Sequence, residues 1–192
     1  MSAGVPLFDA VLPAPWDRAS FRRLDPAADL DLVHGWMHQP HVAPFWELDV
    51  PRGDLAGYLG RAAGDHHREV LVGCVDGRPA SYWELYWAAE DRLAGYYPAG
   101  SLDQGVHLLI GPPELVGRGL GRALLGAVVA WQLRREPATR RVVAEPDVRN
   151  AASLRVFERC GFRRVAELDL PEKRAALMVR DRRAGRRWAG PR

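Results

Sequence analysis

Val116-Gly117-Arg118-Gly119-Leu120-Gly121 sets three glycines at alternate positions immediately ahead of a helical pattern. Such a loop lets backbone N–H groups close on a phosphate, with the helix dipole behind them. His107 stands ten residues before Gly117, and Asp147 and Asn150 precede Phe157-Glu158-Arg159-Cys160-Gly161-Phe162. A histidine titrates near pH 6.5 and can move a proton in a reaction at neutral pH. The residue types alone favour a second, structural reading. His107 is then a hydrogen-bonded core residue, and Asp147 caps the helix that begins at Asn150.

Other phosphate chemistries are excluded by spacing. A dinucleotide fingerprint needs a third glycine where Arg122 stands, and a P-loop needs Gly-Lys-Ser/Thr, whereas the sole lysine is Lys173. His34 and His38 lie four apart on a helical pattern with His41 beyond, but no glutamate stands between them as in His-Glu-x-x-His. His66-His67 reads as an exposed turn, and no metal is expected. Cys74 and Cys160 have no local histidine motif and read as small packed residues.

The elements that must position these groups follow from periodicity and punctuation. Strands are expected at 19–24, 69–75, 79–87, 105–110, 140–144, 162–170 and 175–179, and helices at 29–37, 54–63, 122–134 and 150–159. Asp76-Gly77 marks a hairpin. In the strand at 105–110, Val106, Leu108 and Ile110 point one way and His107 and Leu109 the other. The order predicts one α/β domain over 18–180, a mixed sheet flanked by helices, with residues 1–17 as a flexible leader and 181–192 as a basic tail.

At 192 residues, 47% hydrophobic and 27% charged, the chain suits a single globular core. The net charge of +3 is misleading: residues 180–192 hold six arginines against one aspartate, so the remainder carries −2. That excludes a basic nucleic-acid face. No apolar run reaches the ~20 residues a membrane span needs. The N-terminus lacks a basic signal region, so a cytoplasmic location is expected.

The glycine loop and the later Asn150/Phe157–Phe162 segment resemble the GCN5-related N-acetyltransferases. Within them, Phe45-Trp46, Tyr82-Trp83-Glu84-Leu85-Tyr86-Trp87, Gly105-Val106-His107-Leu108-Leu109-Ile110-Gly111-Pro112 and Glu145-Pro146-Asp147-Val148-Arg149-Asn150 resemble the siderophore-biosynthesis branch. The resemblance implies a mixed, mostly antiparallel sheet and an acyl-CoA co-substrate, with nothing tightly bound. Its diphosphate is expected on Val116, Gly117, Arg118, Gly119, Leu120, Gly121 and Arg122, and its pantetheine arm beside Asn150 and Phe157. A main-chain N–H of the 108–110 region, represented by Leu109, is expected to polarise the thioester carbonyl. His107 is implied as general base, with Asp147 orienting it or binding the acceptor amine, and Trp46, Trp83 and Glu84 as the acceptor pocket. Glu84 alternates with Tyr82 and Tyr86, so the three also read as one solvated face.

The implied reaction acylates a small N-hydroxylated amine, such as N6-hydroxylysine or N-hydroxycadaverine, to a hydroxamate. A hydroxylamine is already mostly neutral and asks only for a mild base. An aminoglycoside or other primary amine is the alternative acceptor, with Asp49, Asp54, Glu84, Glu90, Asp91 and Asp103 available for a cationic substrate. Two positions depart from the pattern: Val116 replaces a polar residue, and Phe157 stands where many members carry a tyrosine that protonates the leaving thiolate. The second departure motivates a silent acyl-CoA-binding protein as a further alternative.

Overall fold

The computed structural model describes residues 5–182. Eight strands form one sheet in the order β1-β2-β3-β4-β5-β6-β8-β7. They are β1 (Phe8–Val11), β2 (Arg18–Arg23), β3 (Arg68–Val75), β4 (Arg78–Trp87), β5 (Gln104–Ile110), β6 (Arg141–Ala144), β7 (Arg163–Asp169) and β8 (Arg174–Asp181). Every neighbouring pair is antiparallel except β5 with β6, so the expected mixed, mostly antiparallel sheet is present.

Helices α1 (Leu30–Met37), α2 (Ala43–Trp46), α3 (Arg52–Gly64), α4 (Leu120–Arg135) and α5 (Ala151–Arg159) cover the sheet. Alternation along the strands divides the burial. Leu71, Trp83 and Val106 pack with Leu124, Leu125 and Val128 of α4 and Phe157 of α5. Val70, Val72, Tyr82 and Leu109 face the other way, against Val33 and Met37 of α1 and Leu55 and Leu59 of α3. The Asp76-Gly77 hairpin forms with φ of 49° and 79°, the twist that joins strands most tightly.

Within the segment 1–17, expected as a leader, Phe8–Val11 forms the edge strand β1. Phe8 stacks on Phe21 of β2 and on Trp131 of α4, with ring centroids 4.4 and 4.5 Å apart. Both partners are remote in sequence, and the flanking prolines disguised the short alternation between them. Asp181 ends β8, while most of the expected tail lies outside the described residues.

Candidate active site

The glycine loop enters α4 as the spacing predicts. Gly117 and Gly119 have φ of 77° and 83°, a region costly for residues with a Cβ, and a Cβ at either would meet open space. Gly119 is the residue preceding α4, whose first backbone bond runs from Ala123 N–H to the Gly119 carbonyl at 3.2 Å. The N–H groups of the first turn therefore lack intrahelical acceptors. Leu120 is buried and anchors the helix; Val116 is exposed. Arg118 lies over the Trp16 ring, and the Arg122 carbonyl accepts from the Cys160 thiol. Gly121 serves packing, since a Cβ there would rest 3.7 Å from Val156 of α5.

Beside this loop the sheet opens. Strands β5 and β6 pair only at Gln104↔Val142 and Gly105↔Val143, then diverge. The divergence leaves a cavity of about 500 Å³. His107 and Leu108 of β5, Glu145 and Asp147 after β6, Asn150 and Phe157 line it, as does Trp46, whose ring stands edge-on to His107 with centroids 6.2 Å apart. Asn150 caps α5 by accepting from the Ser153 N–H at 3.0 Å. Phe157 is buried and meets Phe162 edge-on. A larger hollow of about 750 Å³, between α3, β3 and the end of α4, holds none of the expected site residues.

The register of β5 corrects the Leu109 expectation. Backbone bonds from Ala88 N–H to Asp103 and from Gly111 N–H to Ala80 bracket the β4–β5 ladder. Bonded pairs alternate in an antiparallel ladder, so the odd-numbered residues bond to β4. The Leu109 N–H is thus spent on Tyr82, and its side chain is buried in the α1/α3 core. Leu108 and Ile110 turn their N–H groups toward the gap.

His107 sits between two buried carboxylates. Nε2 meets Glu145 Oε1 in a short contact, and Nδ1 lies 3.4 Å from Glu84 Oε2. The Tyr86 hydroxyl donates to the other Glu145 oxygen at 2.8 Å, and Lys173 Nζ stands 4.0 Å from Glu145. Glu84 also accepts from the Tyr58 and Tyr82 hydroxyls at 2.6 and 2.8 Å and from Arg68 at 2.8 Å. Burial alone would lower the His107 pKa, but the Glu145 and Glu84 charges and hydrogen bonds raise it to about 9. Burial likewise opposes ionisation of both carboxyls, yet His107, with Arg68 at Glu84 and Lys173 at Glu145, holds each at about 2. Both neighbours therefore favour the imidazolium form of the ring over the mild neutral base that an ordinary pKa implies.

Three further expectations change. Asp147 does not orient His107. Its carboxylate accepts from the Arg149 backbone N–H at 2.7 Å and from the Arg149 guanidinium at 2.6 Å, which holds its pKa down. Glu145, two residues earlier, fills that role. Trp83 is not in the pocket: it lies one step from Glu84 along β4, so it faces the α4 core, where its indole N–H donates to Ser81 Oγ at 2.8 Å. Glu84 is neither solvated nor open to a substrate ammonium, because four partners already occupy it.

Glu145, Tyr86, Tyr58, Arg68 and Lys173 were missed as members of the site. Glu145 stands in the quoted Glu-Pro-Asp run, and Tyr86 shares the alternating face of Glu84, so both signals were present in the sequence. The rings of His34 and His38 lie 4.3 Å apart at an interplanar angle of 44°, while His41 bonds the Ile110 carbonyl at 2.8 Å. Asp65, His66 and His67 bring one potential ligand atom each within 4.8 Å, but Asp65 is already bonded to His67.

Residues 25–170 match the family described as "Acetyltransferase (GNAT) domain". The chain is 38% identical over 163 residues to an Escherichia coli protein named N(6)-hydroxylysine O-acetyltransferase, a match spanning 85% of this chain and 52% of that relative. It is 40% identical over 153 residues to the lysine N-acyltransferase MbtK of Mycolicibacterium paratuberculosis, spanning 80% of this chain and 69% of that one. A solved structure of an uncharacterized protein from Bacillus halodurans superposes with a TM-score of 0.87 at 42% identity, covering 93% and 92% of the two chains. The chain thus spans about half the length of the E. coli relative.

Proposed function

The chain belongs to the GNAT acetyltransferase family, and on that premise we propose that it transfers an acyl group from acyl-CoA to the nitrogen of a small N-hydroxylated amine, forming a hydroxamate. The diphosphate would lie on the N–H groups of residues 117–122, and the pantetheine arm would enter between β5 and β6 beside Asn150 and Phe157. The Leu108 N–H would meet the thioester oxygen, where a donor stabilises the charge that develops on attack. Trp46 would receive the acceptor beside Asp147, whose carboxylate is held by Arg149, and the hydroxamate, a chelator of ferric iron, fits siderophore assembly. The names of the two relatives support a lysine-like acceptor.

The observation that carries this reading is His107 held between Glu84 and Glu145 at the base of the gap. A ring kept protonated offers no ready base to strip an alkylammonium, so the site favours a nucleophile that is neutral beforehand. A hydroxylamine meets that condition. The primary-amine alternative loses support because Glu84, Asp91 and Asp103 are each paired with an arginine of the chain.

The test is CoA release from acetyl-CoA with lysine, N6-hydroxylysine, N-hydroxycadaverine and kanamycin, repeated with longer acyl donors. Turnover with the hydroxylamines and not with their parent amines is expected. Turnover confined to lysine or kanamycin would overturn the reading.

A further inference from the structure

We infer, resting on the proposed acyl transfer, that His107 acts first as an acid on sulfur, protonating the departing CoA thiolate, with Glu145 and Glu84 as positioning residues that keep both ring nitrogens protonated. The geometry points this way before any titration is considered. An ionised carboxylate only accepts hydrogen bonds. Glu84 is surrounded by donors from Tyr58 of α3, Arg68 of β3 and Tyr82 of β4, and Glu145 by Tyr86 of β4 with Lys173 of the β7–β8 turn nearby. Both carboxylates are therefore ionised acceptors. A ring nitrogen facing either must carry a proton, and His107 faces one at each nitrogen.

The rest of the cavity wall narrows the choice. Phe157 has no hydroxyl to give, and the Tyr58 hydroxyl is spent on Glu84, with burial and that charge pushing its pKa far up. Among the described residues lining the cavity, Arg68 and Arg92 are held by carboxylates at 3.1 Å or less, which leaves Lys173, 4.0 Å from Glu145, as the other candidate proton donor beside His107. The 3.4 Å contact to Glu84 makes the Nδ1 proton the more easily redirected of the two.

The steps balance without a further reactant. The hydroxylamine nitrogen bonds the acyl carbon. The C–S bond then breaks with its electron pair on sulfur, and His107 delivers a proton to that sulfur. The ring, now neutral between two carboxylates, takes the proton that the acylated nitrogen sheds and is restored as an imidazolium. An acid of pKa about 9 is matched to a thiol, whose ordinary value is close to 8.5.

The deciding experiment follows CoA release with a hydroxylamine acceptor from pH 6 to 10.5 in the wild type, Glu145→Gln and Lys173→Met, beside a ¹⁵N titration of His107 in the free protein. The rate should fall about tenfold per pH unit above a limb near 9. Glu145→Gln should move the limb down by about one unit or more, since an opposite charge is worth one to three units. A rate that climbs through pH 9 would make His107 the base and overturn the inference. A limb abolished by Lys173→Met and unmoved by Glu145→Gln would assign the proton to Lys173. A ring that titrates near 6.5 would remove the clamp. No CoA release at any pH would instead sink the acyl-transfer reading, a result separable from the ring titration.

Discussion

At Glu145 and Asp147, two carboxylates one alternation apart in an extended run, the chain divides two duties. Glu145 holds His107, whereas Asp147 is folded back onto Arg149 at the same cavity wall. Their variants should differ in kind. Glu145→Gln is expected to lower kcat about 10²-fold, the low end of what a proton-transfer group contributes. Asp147→Asn is expected to raise KM for the acceptor several-fold with kcat within about threefold of wild type. Steady-state kinetics at varied acceptor separates them, and a kcat collapse in Asp147→Asn alone would return the orienting role to Asp147. His107 and Asp147 were legible because their segments carried the family pattern. Which carboxylate meets the ring was not, because both lie on one side of the run and only the turn at Arg149 decides between them.

Among the elements, the strands and helices read from periodicity recur almost residue for residue, since burial on both sheet faces enforces the alternation. The strand that escaped, β1, owes its place to aromatic rings contributed by β2 and α4, which no local pattern displays. Trp83 was misplaced for the opposite reason: strict alternation beside Glu84 already sent it to the other face. Substitution at glycines probes how rigidly the elements hold the site. Gly119→Ala forces a Cβ into left-handed backbone at a cost of about 1–2 kcal/mol. It should weaken CoA binding by roughly tenfold in a calorimetric titration while leaving acceptor KM unchanged. Gly105→Ala acts differently, because its Cβ would lie 2.0 Å from the Tyr86 ring. Displacing that ring withdraws the hydroxyl from Glu145, so a loss of about 1–3 kcal/mol in chemical denaturation should accompany reduced kcat.

For the whole molecule, the clamp ties stability to pH from both sides. The raised His107 pKa contributes stability that is complete below about pH 6.5 and lost as pH rises through about 9. The depressed Glu84 and Glu145 values contribute stability present above about pH 4.5 and lost as pH falls toward 2. The melting temperature should therefore peak between about pH 5 and 7 and fall on the alkaline side, by about 2–4 °C for each kcal/mol lost in a chain of this size. His107→Gln should flatten that alkaline fall; an unchanged slope would dissociate the ring from stability. The seam where β5 leaves β6 has its own consequence, because it exposes main chain to solvent in the middle of a sheet. In heavy water the Leu108 and Ile110 amides should take up deuterium far sooner than His107 and Leu109, which alternate with them and are tied to β4. A thioester lodged in the seam should slow that uptake before any acceptor is added, so a peptide's mass alone would report when the sheet is closed.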